Sequence, residues 1–146
     1  MNKPIVAVSG GFDPIHKGHI EMIREASEYG DVLVILNSDE WLIEKKGYKF
    51  MSFDERAYIA GNIKGVTMVT SVDDADGTVC KALVRFKPNY FANGGDRHIT
   101  NTPEMKVCKE LDIEMLWNIG GEKTQSSSTL VEKARYGKRR YDGQEF

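Results

Sequence analysis

Residues 9–19 read Ser9-Gly10-Gly11-Phe12-Asp13-Pro14-Ile15-His16-Lys17-Gly18-His19. Gly10 and Gly11 carry no Cβ, so a ligand can approach their backbone amides closely. His16 and His19 are three residues apart. On a helical turn their Cβ atoms lie about 5–6 Å apart on one face. If that turn opens a helix, its unpaired N–H groups and the positive end of its dipole stand beside the imidazoles, and Lys17 adds a full charge. Bare backbone, imidazoles, amides and an ammonium together suit a polyphosphate. A metal centre is less well served, because no cysteine or third histidine stands nearby and Asp13 alone is a weak third ligand. The plain structural reading is a pair of surface histidines on an amphipathic helix.

Three further segments have the right chemistry for an anion. Thr124-Gln125-Ser126-Ser127-Ser128-Thr129 puts consecutive hydroxyls at a helix start, where they can cap the helix or bind phosphate oxygens. Gly94-Gly95-Asp96-Arg97 has the composition of a turn. Lys45-Lys46-Gly47 reads as a cationic, solvated loop.

Whether these segments meet depends on the elements between them. Ile5-Val6-Ala7-Val8 and Val32-Leu33-Val34-Ile35-Leu36 are uninterrupted apolar runs, the pattern of strands covered on both faces. Val66–Thr70, Tyr90–Ala92 and Ile113–Ile119 read as three more strands. Helical patterns fall between them: about 18–29, stopped by Gly30; from the capping box Ser52-Phe53-Asp54-Glu55 to about Ile63; Thr78–Phe86; from Thr102-Pro103-Glu104 to about Leu111; and a last one starting within Ser126–Thr129. The alternation predicts an α/β fold, a Rossmann-like parallel five-stranded sheet with helices on both faces. Such sheets take ligands beyond the carboxyl ends of their strands, where strand order reverses. Residues 10–19, 37–39, 93–97 and 120–129 all follow strands, so they are expected to converge.

The chain has 146 residues, 40% of them hydrophobic and 29% charged. That suits one domain over residues 1–136, followed by a polar tail over 137–146. Lys+Arg 20 against Asp+Glu 22 leaves no general basic field, so neither nucleic acid nor a membrane surface is an expected partner. No run approaches the roughly 20 apolar residues that span a bilayer. Cys80 and Cys108 belong to no cluster and read as reduced thiols. A cytoplasmic protein is expected. The absence of G-x-x-x-x-G-K-[ST] disfavours a P-loop kinase.

Taken together, the motifs GGFDPIHKGH and Ser126-Ser127-Ser128-Thr129, with Asn37-Ser38-Asp39, Lys46-Gly47, Glu55-Arg56 and Gly94-Gly95-Asp96 in order between them, resemble the cytidylyltransferase-like nucleotidyltransferases. The resemblance runs to about Ala134. Two branches are similar, the domain that adenylylates a heptose phosphate and glycerol-3-phosphate cytidylyltransferase. The latter has an arginine before its hydroxyl run, where this chain has Glu122-Lys123-Thr124-Gln125. A lysine offers the charge but not the bidentate geometry.

The resemblance implies transfer of CMP or AMP from CTP or ATP to a phosphorylated sugar or small polyol, with Mg²⁺ on the triphosphate and a homodimer as the assembly. It implies catalytic roles for His16, His19 and Lys46, the last bridging the α-phosphate and the acceptor phosphate. Nucleotide contacts are implied for Gly10, Gly11, Phe12, Gly18, Gly95 and Asp96, for Arg56, and for the run Ser126, Ser127, Ser128 and Thr129. Asp13 is implied to orient the loop. Other readings are a nucleotide-binding protein without turnover, or an adenylyltransferase for FMN or pantetheine phosphate.

Overall fold

The computed structural model describes residues 3–95, 102–121 and 127–136, without the side chains of Ser128, Thr129 and Tyr136. The first strand, β1 (Ile5–Gly10), is followed by α1 (Lys17–Ala26), β2 (Asp31–Leu36), α2 (Asp39–Lys46), α3 (Phe53–Gly61) and β3 (Val66–Thr70). Then come α4 (Cys80–Phe86), β4 (Tyr90–Ala92), α5 (Pro103–Glu110), β5 (Glu114–Leu116) and α6 (Ser127–Tyr136).

All strand pairs are parallel, in the order β3-β2-β1-β4-β5. Alternate residues of β1 serve opposite faces. Val6 and Val8 pack with Ile23 and Ala26 of α1 and Ala60 of α3. Ala7 packs with Ala82 and Leu83 of α4 and Cys108 of α5. Both faces are therefore dry, which is why the strands show no polar alternation. The chain builds outward from β1 to β3, then returns to lay β4 on the other side of β1. Strand order reverses there, and a crevice opens at the carboxyl ends of the strands.

The expected α/β architecture stands, with three differences in detail. The fifth strand stops at Leu116 instead of Ile119. Asn118 takes a positive φ of 56°, and its amide donates to the Gly95 carbonyl outside the ladder. The first helix ends at Ala26, with Ser27 as its C-cap. The largest difference is α2, where the composition suggests a cationic loop. Trp41, Leu42 and Ile43 are consecutive and trace no helical stripe. The helix declares itself at its ends instead: the Ser38 side chain accepts from the Trp41 amide, acids open it, Lys45 and Lys46 close it, and Gly47 caps it at φ 84°. Lys46 is thus the last residue of a helix. Among the described residues, no helix is long and apolar enough to cross a membrane.

Candidate active site

A cavity of about 570 Å³ lies over the crevice. Its walls are Ser9 to Phe12 at the end of β1, His16, Gly18, His19 and Met22 of the first helical segment, and Trp41 and Lys46 of α2. Gly94, Gly95, Ile119, Gly120 and Gly121, from the loops after β4 and β5, and Ser127 of α6 complete it. Described residues from each segment singled out by its chemistry meet at one place.

The histidines meet through a cap and not through a shared helical face. His16 is the N-cap of α1, with extended backbone, and its Nδ1 accepts from the Gly18 amide at 3.0 Å. His19 reaches back, and its Nδ1 accepts from the His16 amide at 3.1 Å. This is a capping box built from two imidazoles. The ring centroids stand 4.0 Å apart, and Phe12 packs 4.5 Å from His19. An Nδ1 that accepts carries no proton, so each neutral ring bears its N–H on Nε2. The glycine between them is a packing requirement: a Cβ on Gly18 would fall 2.9 Å from His16 Cε1.

Arg56, expected to contact nucleotide, and Asp13, expected to orient the loop, both lie beneath the cavity. Arg56 is fully buried. Its Nη1 donates to the carbonyls of Gly11 and Asn37, both at 2.8 Å, and its Nε to that of Met51 at 3.0 Å. Its Nη2 donates to Asp39 Oδ1 at 2.6 Å. With four of its five N–H donors on the ends of β1 and β2, on α2 and on the α2–α3 loop, the guanidinium holds the floor of the cavity in place. Asp13 is likewise fully buried. Its carboxylate oxygens accept from the Phe50 and Met51 amides at 2.6 and 2.7 Å, which pins the α2–α3 loop to the loop after β1. Burial raises the Asp39 pKa, but the Arg56 hydrogen bond and the charge of Lys49 outweigh it, leaving Asp39 below its ordinary value.

Asp74 has a role that nothing in its local sequence separates from Asp73 and Asp76. It is buried and accepts from Asn37 Nδ2 at 2.9 Å, from the Ser38 amide at 2.9 Å and from Ser38 Oγ at 2.7 Å. It thereby locks the N-cap of α2. At the opposite wall, Ser127 Oγ donates to the Pro14 carbonyl at 2.7 Å, latching the start of α6 onto the loop after β1.

Of the residues expected in the site, Gly10, Gly11, Phe12, His16, Gly18, His19, Lys46, Gly95 and Ser127 line the cavity. Asp96 and Ser126 lie outside the described residues, as do the side chains of Ser128 and Thr129. Trp41, Met22 and Ile119 line it without having been singled out in the sequence. Among the described residues, no carboxylate lines the cavity and no group of His, Cys, Asp and Glu could hold a metal. The donor set therefore suits anions: imidazole N–H groups, backbone amides and an ammonium.

A family model described as cytidylyltransferase-like matches residues 7–133. The bifunctional protein HldE of Pelobacter propionicus is 35% identical over 140 residues, covering 90% of this chain and 27% of that protein. The chain thus spans little more than a quarter of the HldE relatives it matches. The FAD synthase of Archaeoglobus profundus is 30% identical over 106 residues, covering 73% of this chain and 65% of that one. The crystal structure of the lipopolysaccharide core biosynthesis protein from Thermoplasma volcanium shares the fold. Its TM-score is 0.68 at 19% identity, over 82% of this chain and 98% of that one.

Proposed function

This chain belongs to the cytidylyltransferase-like family, and from that membership we propose that it transfers a nucleotidyl group. A phosphate oxygen of a small phosphorylated acceptor attacks the α-phosphorus of CTP or ATP. The bond to the bridging oxygen breaks and pyrophosphate leaves with that electron pair. The observation that carries the reading is the imidazole capping box, which directs each ring's one remaining N–H away from Nδ1 in a wall of the cavity.

The acceptor phosphate is already anionic near neutral pH, so no general base is required. Catalysis then rests on positioning and on donors aimed at charge that grows in the transition state. His16 and His19 serve the transferring phosphoryl group, Gly11 and Phe12 offer amides, and Lys46 offsets the repulsion between the two phosphates. Mg²⁺ is expected as part of the metal–nucleotide substrate, neutralising phosphate charge, since the described cavity walls bring it no carboxylate. The same reading includes a homodimer in the cytoplasm.

The acceptor we propose is a phosphorylated sugar or small polyol, from the set Asn37-Ser38-Asp39, Lys46-Gly47 and Gly94-Gly95-Asp96. The FAD synthase relative supports a second reading, with FMN as the acceptor. Pyrophosphate release separates them when CTP and ATP are each tested against sugar phosphates, polyol phosphates, FMN and pantetheine phosphate. Release with sugar or polyol phosphates is the expected result. Release with FMN alone moves the acceptor to the second reading, and no release with any pair overturns the reaction.

A further inference from the structure

The cavity has two dissimilar ends, and sheet order sets them apart. Beyond β4 and β5 the wall is bare backbone at Gly94, Gly95 and Gly120, with Met22 and Ile119 supplying apolar surface. Such a slot suits a base whose edge is read by main-chain groups. Beyond β2, on the other side of β1, helix α2 brings Trp41 and Lys46. The histidines stand between the two ends. A triphosphate held there leaves one end for its nucleoside and the other for the acceptor.

We propose that Trp41 selects the acceptor: its indole is the wall of the acceptor subsite, and the ring of a phosphorylated sugar lies against it with its phosphate toward Lys46. This rests on the transfer reaction proposed above. The helix that carries the indole is held in place before any ligand arrives. Ser38, the N-cap of its helix, is locked by Asp74. Asp39 is held by Arg56. Leu42 is fully buried and sits so close to the backbone that a Cβ on Gly11 would fall 2.6 Å from its Cδ2. The same Cβ position is 3.6 Å from Trp41 Cζ3, which puts the indole at the rim of the loop after β1.

The spacing on α2 narrows the ligand. Trp41 and Lys46 are five residues apart on one short helix, about 7.5 Å along its axis. A ligand touching both carries its phosphate close to its ring. A sugar phosphate has that shape, whereas in a flavin mononucleotide a flexible chain separates ring and phosphate. The volume points the same way. About 570 Å³ lies within the range of roughly 300–1,000 Å³ typical of small-molecule sites, so an acceptor that shares it with a nucleoside triphosphate has to be compact. Lys45 Nζ lies 5.9 Å from the indole centroid, a cation–π contact within the helix that helps fix the ring.

The chain has two tryptophans, Trp41 and Trp117, so Trp117→Phe leaves Trp41 as its one indole reporter. In that chain, pentose, hexose and heptose phosphates are titrated against Trp41 fluorescence, alongside FMN, CTP and ATP. Saturable quenching by a sugar phosphate, and not by the free nucleotides, is expected. In the otherwise unaltered chain, Trp41→Ala should raise the KM for that sugar phosphate about tenfold. The nucleotide KM should stay within about twofold, and Trp41→Phe should restore most of the loss. If the nucleotide quenches Trp41 and its KM carries the effect, the base occupies this end and the proposal fails. It also fails if FMN alone quenches, or if no sugar phosphate does. Pyrophosphate release by the unaltered chain tests the reaction separately. A chain that binds a sugar phosphate against Trp41 without releasing pyrophosphate keeps the wall and loses the transfer.

Discussion

At the scale of single residues, the central feature is a helix cap that doubles as an anion site. Because each Nδ1 is occupied by a backbone amide, the cap dictates which nitrogen can donate. His16→Ala and His19→Ala should each lower turnover by roughly 10²–10³, the usual cost of losing one preorganised donor to transition-state charge. Each should also lose a cap worth about 1 kcal/mol. Steady-state kinetics set beside thermal melts separate the two effects; turnover near the unaltered value would refute the role. Gly18→Ala tests the cap without touching an imidazole. Its methyl would displace the His16 ring, so turnover should fall while far-ultraviolet circular dichroism stays unchanged. The spacing of His16, Gly18 and His19 is visible in the sequence. That the rings would pair through a cap is not, because a histidine at the N-cap is not among the preferred capping types.

Helix α2 shows what was hidden at the scale of elements. Three consecutive apolar residues mask its period, and only its ends, with Ser38 and two acids at one and two lysines and Gly47 at the other, mark it. Tertiary bonds to Asp74 and Arg56 hold it, and neither partner is near it in sequence. Arg56→Met should therefore destabilise the chain by about 3 kcal/mol or more, since it leaves three carbonyls without their buried donor and Asp39 with Lys49 alone. Urea denaturation measures this. The pH dependence has a definite sign. Asp39 titrates below its ordinary value in the folded chain, so the unfolded chain takes up its proton first as pH falls. The stability contributed by this pair is complete above the unfolded carboxylate range and is lost as pH drops through the lowered folded value. In Arg56→Met that part of the acid dependence should be absent.

For the molecule as a whole, the uninterrupted apolar runs of β1 and β2 were enough to read a parallel sheet, and the sheet was enough to place the candidate residues around one crevice. Strand order was the invisible part, because it depends on which faces the helices cover. Packing also separates the chemistry of the thiols: Cys108 belongs to a buried cluster with α4, whereas Cys80 is only partly buried. Burial pushes the Cys108 thiol up to about 11, and desolvation raises the half-buried Cys80 as well. Iodoacetamide at neutral pH should label Cys80 first and reach Cys108 only when denaturant opens the packing of α4 on α5. Mass spectrometry of the two peptides reads this directly. Equal labelling of both in the folded chain would contradict the packing described.

The latch between Ser127 and Pro14 closes a span of 113 residues. Contacts of such separation are slow to form, because loop closure is an entropic cost met before the contact returns anything. During synthesis β1 and its histidines emerge early, yet one wall of their cavity waits until α6 has cleared the ribosome. A nascent chain halted before Ser127 therefore already carries the strands of the sheet and the imidazole pair but lacks that wall. Nucleotide can stabilise the protein fully only after translation has passed that point. Protection of stalled chains from proteolysis by CTP or ATP should accordingly rise sharply once α6 is exposed, and not gradually with length.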